Sequence, residues 1–219
     1  MFDEQLFNKI CDVSCDWNEL EKFVINIDKK EFDLSNALEK YYKVERIICA
    51  IEKYQSKKIN AKFLAYWSNA YDWIINSGFK IENNDKSISL KEFLVFEISD
   101  WLDSLSFFDD SDDWYNLEEY KTTFRVLDSV LQDIDNCEAI FAVDADEKDE
   151  DYDYYAHDVA VLIKNVKAKY FIKVYTDCIY PDDNVLFSKV PLTELENQTT
   201  QLQKQGYREL QYCAWEDKN

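Results

Sequence analysis

The sequence predicts an α+β fold: a helical region, residues 1–136, followed by a small antiparallel sheet with one helix, residues 137–219. Apolar residues recur every three or four positions through the first region, which is the period of an amphipathic helix. Short runs rich in β-branched and aromatic residues follow, as is typical of strands. The 219 residues include only two glycines and two prolines, which favours uninterrupted helices. We expect the two regions to pack as one unit.

Six helices are expected in the first region, near residues 3–12, 17–26, 35–55, 59–77, 90–105 and 115–134. A capping box of Asp16 with Glu19 indicates the start of the second helix, and one of Ser89 with Glu92 the start of the fifth. The pair Lys57–Lys58 predicts a short turn between the third and fourth helices, which would then form an antiparallel pair.

The second region is expected to hold strands at residues 139–143, 159–163, 170–175, 185–187 and 207–215. The second and third strands are separated by a gap of hairpin length. A further capping box, Thr193 with Glu196, predicts a helix that runs to Gly206.

Nearly all of the net charge of −20 lies in one stretch, residues 97–158, which we call the acidic segment. It contains 21 Asp and Glu and three basic residues, whereas the rest of the chain has 24 acids and 22 bases. Such a field attracts basic proteins and repels nucleic acid and anionic membranes. Because segregated like charge also costs stability, we interpret the segment as a protein-binding surface rather than as a solubility feature alone.

Aromatic side chains interleave with these acids, and Tyr or Trp ringed by polar groups is a common anchor of protein interfaces. We expect Trp101 and Phe124, which follow a helical period, to lie in the core. The acids would capture a basic partner protein and the aromatic side chains would hold it. The predicted partner-binding residues are Asp109, Asp110, Asp112, Asp113, Trp114, Tyr115, Asp144, Asp146, Asp149, Asp151, Asp153 and Tyr154.

No catalytic residue, metal or cofactor is expected. Scarce glycine excludes the dinucleotide and nucleotide phosphate loops, and the acidic clusters lack the glycine and the ligand spacing of a calcium loop. The single histidine, His157, lies among acids without a nucleophile pattern nearby. Paired-carboxylate glycosidase chemistry stays open, because acids and aromatics are both plentiful.

A cytoplasmic location is expected, with the six cysteines reduced. The acidic start, Met1–Glu4, lacks the basic and apolar parts of a secretion signal, and no apolar run reaches the length of a membrane span.

The predicted helix pair, Tyr41 to Ile75, carries Ala50-Ile-Glu-Lys-Tyr54, Lys58–Ile59, Phe63–Leu64, Trp67 and Ala70-Tyr-Asp-Trp-Ile74. Over these residues the chain resembles small bacterial immunity proteins, which protect a cell from a polymorphic toxin. The resemblance implies an acidic cytoplasmic protein that occludes the active face of a toxin, often a basic nuclease. It transfers no functional residue to this sequence.

The function expected from these observations is stoichiometric inhibition of a basic partner protein, a toxin in the immunity-protein interpretation. The alternative is a phage-encoded mimic of nucleic acid that inhibits a host defence nuclease. In that case carboxylates on the helices of residues 97–135 would imitate a line of phosphates. Competition with DNA or RNA for the partner distinguishes the two hypotheses.

Overall fold

A computed structural model describes residues 4–26, 37–76, 90–111, 115–144, 159–165, 167–176, 188–204 and 207–210. The chain forms two compact units, one of Met1–Ile81 with Leu94–Asp128 and one of Glu82–Phe93 with Ser129–Asn219. We call them the helical unit and the sheet unit. The predicted division between residues 136 and 137 stays a prediction. No helix in the described ranges has the length and apolar character needed to cross a membrane.

Helices precede strands along the chain, and the α+β class is confirmed. The helices before the sheet are α1 (Glu4–Cys11), α2 (Trp17–Ile25), α3 (Ala37–Tyr41), α4 (Val44–Gln55), α5 (Ala61–Asn76), α6 (Leu90–Ser106) and α7 (Leu117–Gln132).

The start of α2 is the capping box that the sequence predicts. The Asp16 carboxylate accepts a hydrogen bond from the Glu19 backbone N–H at 2.9 Å, and the Glu19 carboxylate accepts one from the Asp16 N–H at 3.0 Å. Two N–H groups that the helix leaves unpaired are thereby satisfied. Ser89, which begins the other expected capping box, lies outside the described residues.

The single helix expected over residues 35–55 is wrong, because the chain is extended at Lys43 (φ −152°, ψ 125°) between α3 and α4. The buried Tyr71 hydroxyl accepts a hydrogen bond from the Lys43 N–H at 2.9 Å and donates one to the Tyr41 carbonyl at 2.9 Å. The Arg46 guanidinium donates to the same carbonyl at 2.5 Å. These long-range bonds satisfy the backbone at the break, and so override the helical period of the sequence.

Helix α5 is the centre of the helical unit and contacts α1, α2, α3 and α4. Its side chains Trp67, Ser68 and Tyr71 are fully buried. The Trp67 indole donates to the Ile10 carbonyl of α1 at 2.7 Å, and the Ser68 hydroxyl donates to the Leu102 carbonyl of α6 at 2.6 Å. Each buried polar group of α5 therefore finds a backbone partner on a different helix.

Helices α1 and α4 end in the same way, with a non-glycine residue in the left-handed region, Val13 (φ 52°) and Lys57 (φ 60°). The Lys57 and Lys58 N–H groups donate to the Tyr54 and Lys53 carbonyls, each at 2.8 Å. This is the Schellman pattern, in which glycine is the usual left-handed residue. The scarcity of glycine leaves both turns to residues with a Cβ atom.

The sheet unit contains five described strands in the order β4-β3-β2-β1-β5, and neighbouring strands are antiparallel. Residues 185–187, expected as the fourth strand, and residues 211–215 of the expected last strand lie outside the described ranges. The elements are β1 (Cys137–Asp144), β2 (Val159–Asn165), β3 (Tyr170–Thr176), β4 (Ser188–Pro191), α8 (Leu195–Lys204) and β5 (Tyr207–Leu210).

The hairpin between β2 and β3 depends on Asn165, whose side chain is buried. Its amide donates to the Asp133 carboxylate at 2.6 Å, and its side-chain oxygen accepts from the Ala168 N–H at 2.8 Å. Glu138 of β1 faces Lys164 of β2 in register and forms an ion pair with it. Asp133 and Glu138 belong to the acidic segment, yet both have structural partners.

We predict that Tyr71→Phe lowers the free energy of unfolding by about 1–3 kcal/mol, because it leaves the Lys43 N–H and the Tyr41 carbonyl without the hydroxyl that joins them. Urea denaturation followed by circular dichroism measures the loss. The control is Tyr66→Phe, which removes a half-buried hydroxyl from the same helix. Equal effects of the two substitutions would show that the break between α3 and α4 does not depend on Tyr71.

Candidate partner-binding surface

The described residues include four of the twelve predicted partner-binding residues. Asp109, Asp110 and Tyr115 belong to the helical unit, and Asp144 ends β1 in the sheet unit. The other eight lie outside the described ranges: Asp112, Asp113, Trp114, Asp146, Asp149, Asp151, Asp153 and Tyr154. Most of the described part of the predicted partner-binding surface therefore lies in the helical unit.

The buried face of α6 determines which side chains near its end reach solvent. Leu94, Ile98, Leu102 and Leu105 are all buried and follow the three- and four-residue steps of one helix face. Asp103 and Phe107, four residues apart, lie off this face and are exposed. A carboxylate and an aromatic ring thus point away from the core at the end of α6.

The turn after α6 holds Asp109 in place. Its carboxylate accepts hydrogen bonds from the backbone N–H and from the hydroxyl of Ser111, both at 2.9 Å. These two bonds lower the pKa of Asp109 below its ordinary value, because they stabilise the charged form. Asp109 is consequently an exposed and oriented negative charge at neutral pH.

Asp110 is positioned by a tyrosine from α4. The Tyr54 hydroxyl donates a hydrogen bond to the Asp110 carboxylate. This bond, together with partial burial and the charge of Asp110, raises the pKa of Tyr54 to about 12. The phenol therefore stays protonated at neutral pH, and it holds the Asp110 carboxylate at the protein surface.

Phe107 lies between Asp103 and Asp109 in the sequence and is 71% exposed. Among the described residues, the other large apolar side chain with high exposure is Ile25, at the end of α2. We call Asp103, Phe107, Asp109 and Asp110 the Phe107 surface. Neither Phe107 nor Asp103 is among the partner-binding residues that the sequence predicts. The spacing of the four buried residues of α6 contains the information that would have placed both outside the core.

Aromatic side chains support this surface from below. The buried Phe108 ring makes edge contacts with Tyr54 (4.9 Å between centroids) and with Tyr115 (5.1 Å). The Tyr115 hydroxyl donates to the Ser104 carbonyl of α6 at 3.1 Å. Tyr115 is half-buried and connects the approach to α7 with the end of α6. Its contacts give it a structural role, and its role as a partner anchor stays a prediction.

Not every acid of the acidic segment adds to its surface field. Glu97 is buried in α6, and burial, with a smaller contribution from the charge of Asp100, raises its pKa from 4.5 to about 8. Its side chain is therefore mostly neutral at pH 7. Glu118 forms an ion pair with Lys121 at 2.6 Å, which lowers the pKa of Glu118.

In the described ranges, no three Asp, Glu, His or Cys side chains are grouped so that they could hold a metal ion. Much of the two acidic clusters, 109–113 and 144–153, lies outside these ranges, so the expectation of no metal stays a prediction. His157 also lies outside them.

Compared with known proteins, the chain matches no family model, no curated protein and no solved structure.

We predict that Glu97→Gln stabilises the protein at pH 9 by about 2–4 kcal/mol and changes little at pH 5. A folded-state pKa of about 8, raised from 4.5, means that wild type loses stability as the pH rises through this interval, because the buried carboxyl must ionise. Glutamine removes that ionisation at nearly constant volume. Urea denaturation at both pH values measures the effect.

The control is Glu119→Gln, which removes the same charge at an exposed position of α7. A gain of stability for Glu97→Gln that is the same at pH 5 and pH 9 would contradict burial of an ionisable Glu97.

Proposed function

We propose that this chain is a stoichiometric inhibitor that binds a basic partner protein through the Phe107 surface and occludes it, as immunity proteins do with toxins. The observation that carries the proposal is the exposed Phe107 ring close in sequence to two oriented carboxylates, Asp109 and Asp110. An aromatic anchor of a protein interface must be accessible to the partner's pocket, and Phe107 meets this requirement.

The aromatic ring would supply affinity. Burial of a Phe side chain contributes about 1.5–3 kcal/mol, and aromatic anchors near the centre of an interface often contribute more than about 2 kcal/mol. The carboxylates around it would raise the association rate and favour basic partners over acidic ones, because these are the effects of charge complementarity.

The surface is also preorganised. Ser111 fixes the Asp109 carboxylate and Tyr54 fixes the Asp110 carboxylate before any partner binds. Ordering a flexible side chain on binding costs about 0.5–1.5 kcal/mol, so that cost is largely avoided at these two positions.

Binding without catalysis in the cytoplasm is part of the proposal. The cysteines in the described residues, Cys11, Cys15, Cys49 and Cys137, are free thiols, as is usual in a reducing compartment. The acidic segment as a whole, with a net charge of −18 over residues 97–158, favours a basic protein over nucleic acid as the partner.

The test uses the purified product of the gene adjacent to the one that encodes this chain, with binding measured by surface plasmon resonance. We expect Phe107→Ala to weaken binding by about 30-fold or more, mainly through faster dissociation. The matched control is Ile25→Ala, which trims the other exposed large apolar side chain among the described residues. Loss of affinity in both variants, or in neither, contradicts Phe107 as the anchor.

The same binding measurement with the double variant Asp109→Asn, Asp110→Asn tests the contribution of the two carboxylate charges. Asparagine keeps a side-chain oxygen that can accept the hydrogen bonds from Ser111 and Tyr54, so the turn should stay folded. We expect an association rate about tenfold lower at low salt and a weaker dependence on salt. An unchanged association rate would remove these acids from the interface. Competition by duplex DNA for the partner would favour the nucleic-acid mimic instead.

A further inference from the structure

A cleft of about 950 Å³ opens in the helical unit, on the side of α4 and α5 where their connecting turn lies. Its walls come from the turn after α1, the start of α2, the end of α4 and the α4–α5 turn, with Asp110 at one edge. Small-molecule sites in proteins have volumes of roughly 300–1,000 Å³. The cleft is large enough for a ligand the size of a mononucleotide.

Three lysines line this cleft in a chain of strongly negative net charge. They are Lys53, Lys57 and Lys58, and the ten residues 53–62 contain four lysines and no acid. Among the residues that the structure describes, no carboxylate lies within ion-pair distance of these three ammonium groups. An anion bound in the cleft would therefore meet three ammonium groups that no described ion pair neutralises, against one carboxylate of the lining, Asp110.

The half-buried Lys53 is the most constrained of the three cations. Its ammonium donates one hydrogen bond, to the Val13 carbonyl at 2.6 Å. An ammonium has three donors, so two remain for a ligand. Lys57 and Lys58 are exposed at the rim, where the Schellman turn fixes the backbone that carries them.

Besides the lysines, the described lining contains one carboxylate, that of Asp110, and one thiol, that of Cys15. Asp110 is the acid among the described lining residues, and its carboxylate accepts the Tyr54 hydroxyl. Cys15 is buried, and burial raises the pKa of its thiol to about 11, so no thiolate forms at neutral pH. The lysine side of the cleft therefore keeps its positive charge.

Aromatic rings line the cleft beside these cations. Phe63 is buried at the start of α5, and its ring lies 6.5 Å from that of the half-buried Trp17. The Lys62 ammonium lies 4.6 Å from the centroid of the Trp17 ring, and Tyr66 packs against the same indole. The lining of this cleft thus contains aromatic side chains against which a flat apolar group can pack.

We propose that this cleft binds a small aromatic anion, whose phosphate or carboxylate group pairs with Lys53, Lys57 and Lys58 while its ring packs against Phe63 and Trp17. Lysine ammonium groups bind phosphate and carboxylate as point charges, without the fork geometry of arginine. The ligand has the opposite charge to the partner that the Phe107 surface attracts, although Asp110 belongs to that surface and also lines the cleft.

Isothermal titration calorimetry on the full chain at low ionic strength tests the proposal with four probes. AMP carries a ring and a phosphate, indole-3-acetate carries a ring and a carboxylate, inorganic phosphate has no ring, and adenosine has no charge. We expect AMP or indole-3-acetate to bind at least tenfold more tightly than inorganic phosphate and adenosine. The tighter-binding of these two ligands shows whether the cleft prefers a phosphate or a carboxylate group.

The double variant Lys57→Gln, Lys58→Gln should weaken binding of that aromatic anion by at least tenfold. The control Lys22→Gln, at an exposed position of α2 outside the cleft, should change it by less than twofold. Thermal melting by circular dichroism checks that each variant is folded. Because the calorimetry contains no partner protein, a negative result there leaves the proposed function intact. In the same way, a failure of partner binding leaves the proposed ligand site intact.

Three results would overturn the proposal. The first is that neither aromatic anion binds to wild type. The second is that inorganic phosphate or adenosine binds as tightly as the aromatic anions. The third is that the double variant binds with unchanged affinity.

Discussion

The helical unit depends on the hydrogen bonds that α5 sends to the backbones of its neighbours. Trp67 binds the end of α1, Ser68 binds α6, and Tyr71 joins the end of α3 to the start of α4. All three side chains are fully buried, where an unpaired polar group would cost about 1–3 kcal/mol. The bonds therefore determine which part of each neighbouring helix faces α5. Apolar packing alone would determine the positions of these helices less strictly.

The two candidate sites of the helical unit follow from this arrangement. Ser68 fixes α6 near the point where it ends, and the acidic turn with Phe107 begins one turn later. The cleft lies beside the turn that brings α4 onto α5, and it is bordered by the left-handed residues Val13 and Lys57. Residues held in left-handed conformations without glycine are often found at functional positions. Tyr54 and Asp110 connect the two places, because they are hydrogen-bonded to each other, both line the cleft, and Asp110 is also part of the Phe107 surface.

The sequence predicted what depends on local periodicity, and missed what depends on distant partners. The start of α2 follows from Asp16 and Glu19, which are three residues apart and need no other part of the chain. The break before Lys43 depends on Tyr71, 28 residues away, so no local pattern contains it. Glu97 is an acid in an acidic segment by composition, but its position on the buried side of α6 makes it a core residue. Counting charges predicted the acidic character of the surface without distinguishing its exposed carboxylates from its buried ones.

The central claim is that a helical unit organised by α5 presents the Phe107 surface to a basic partner. Hydrogen–deuterium exchange tests this claim most directly. It is measured on the free chain and on its complex with the product of the adjacent gene. We expect the amides of α5 to be the slowest to exchange in the helical unit in both states. Residues 103–111, which end α6 and form the turn after it, should exchange more slowly in the complex than in the free chain. Protection that leaves residues 103–111 unchanged, or α5 amides that exchange as fast as those of the neighbouring helices, would contradict this account.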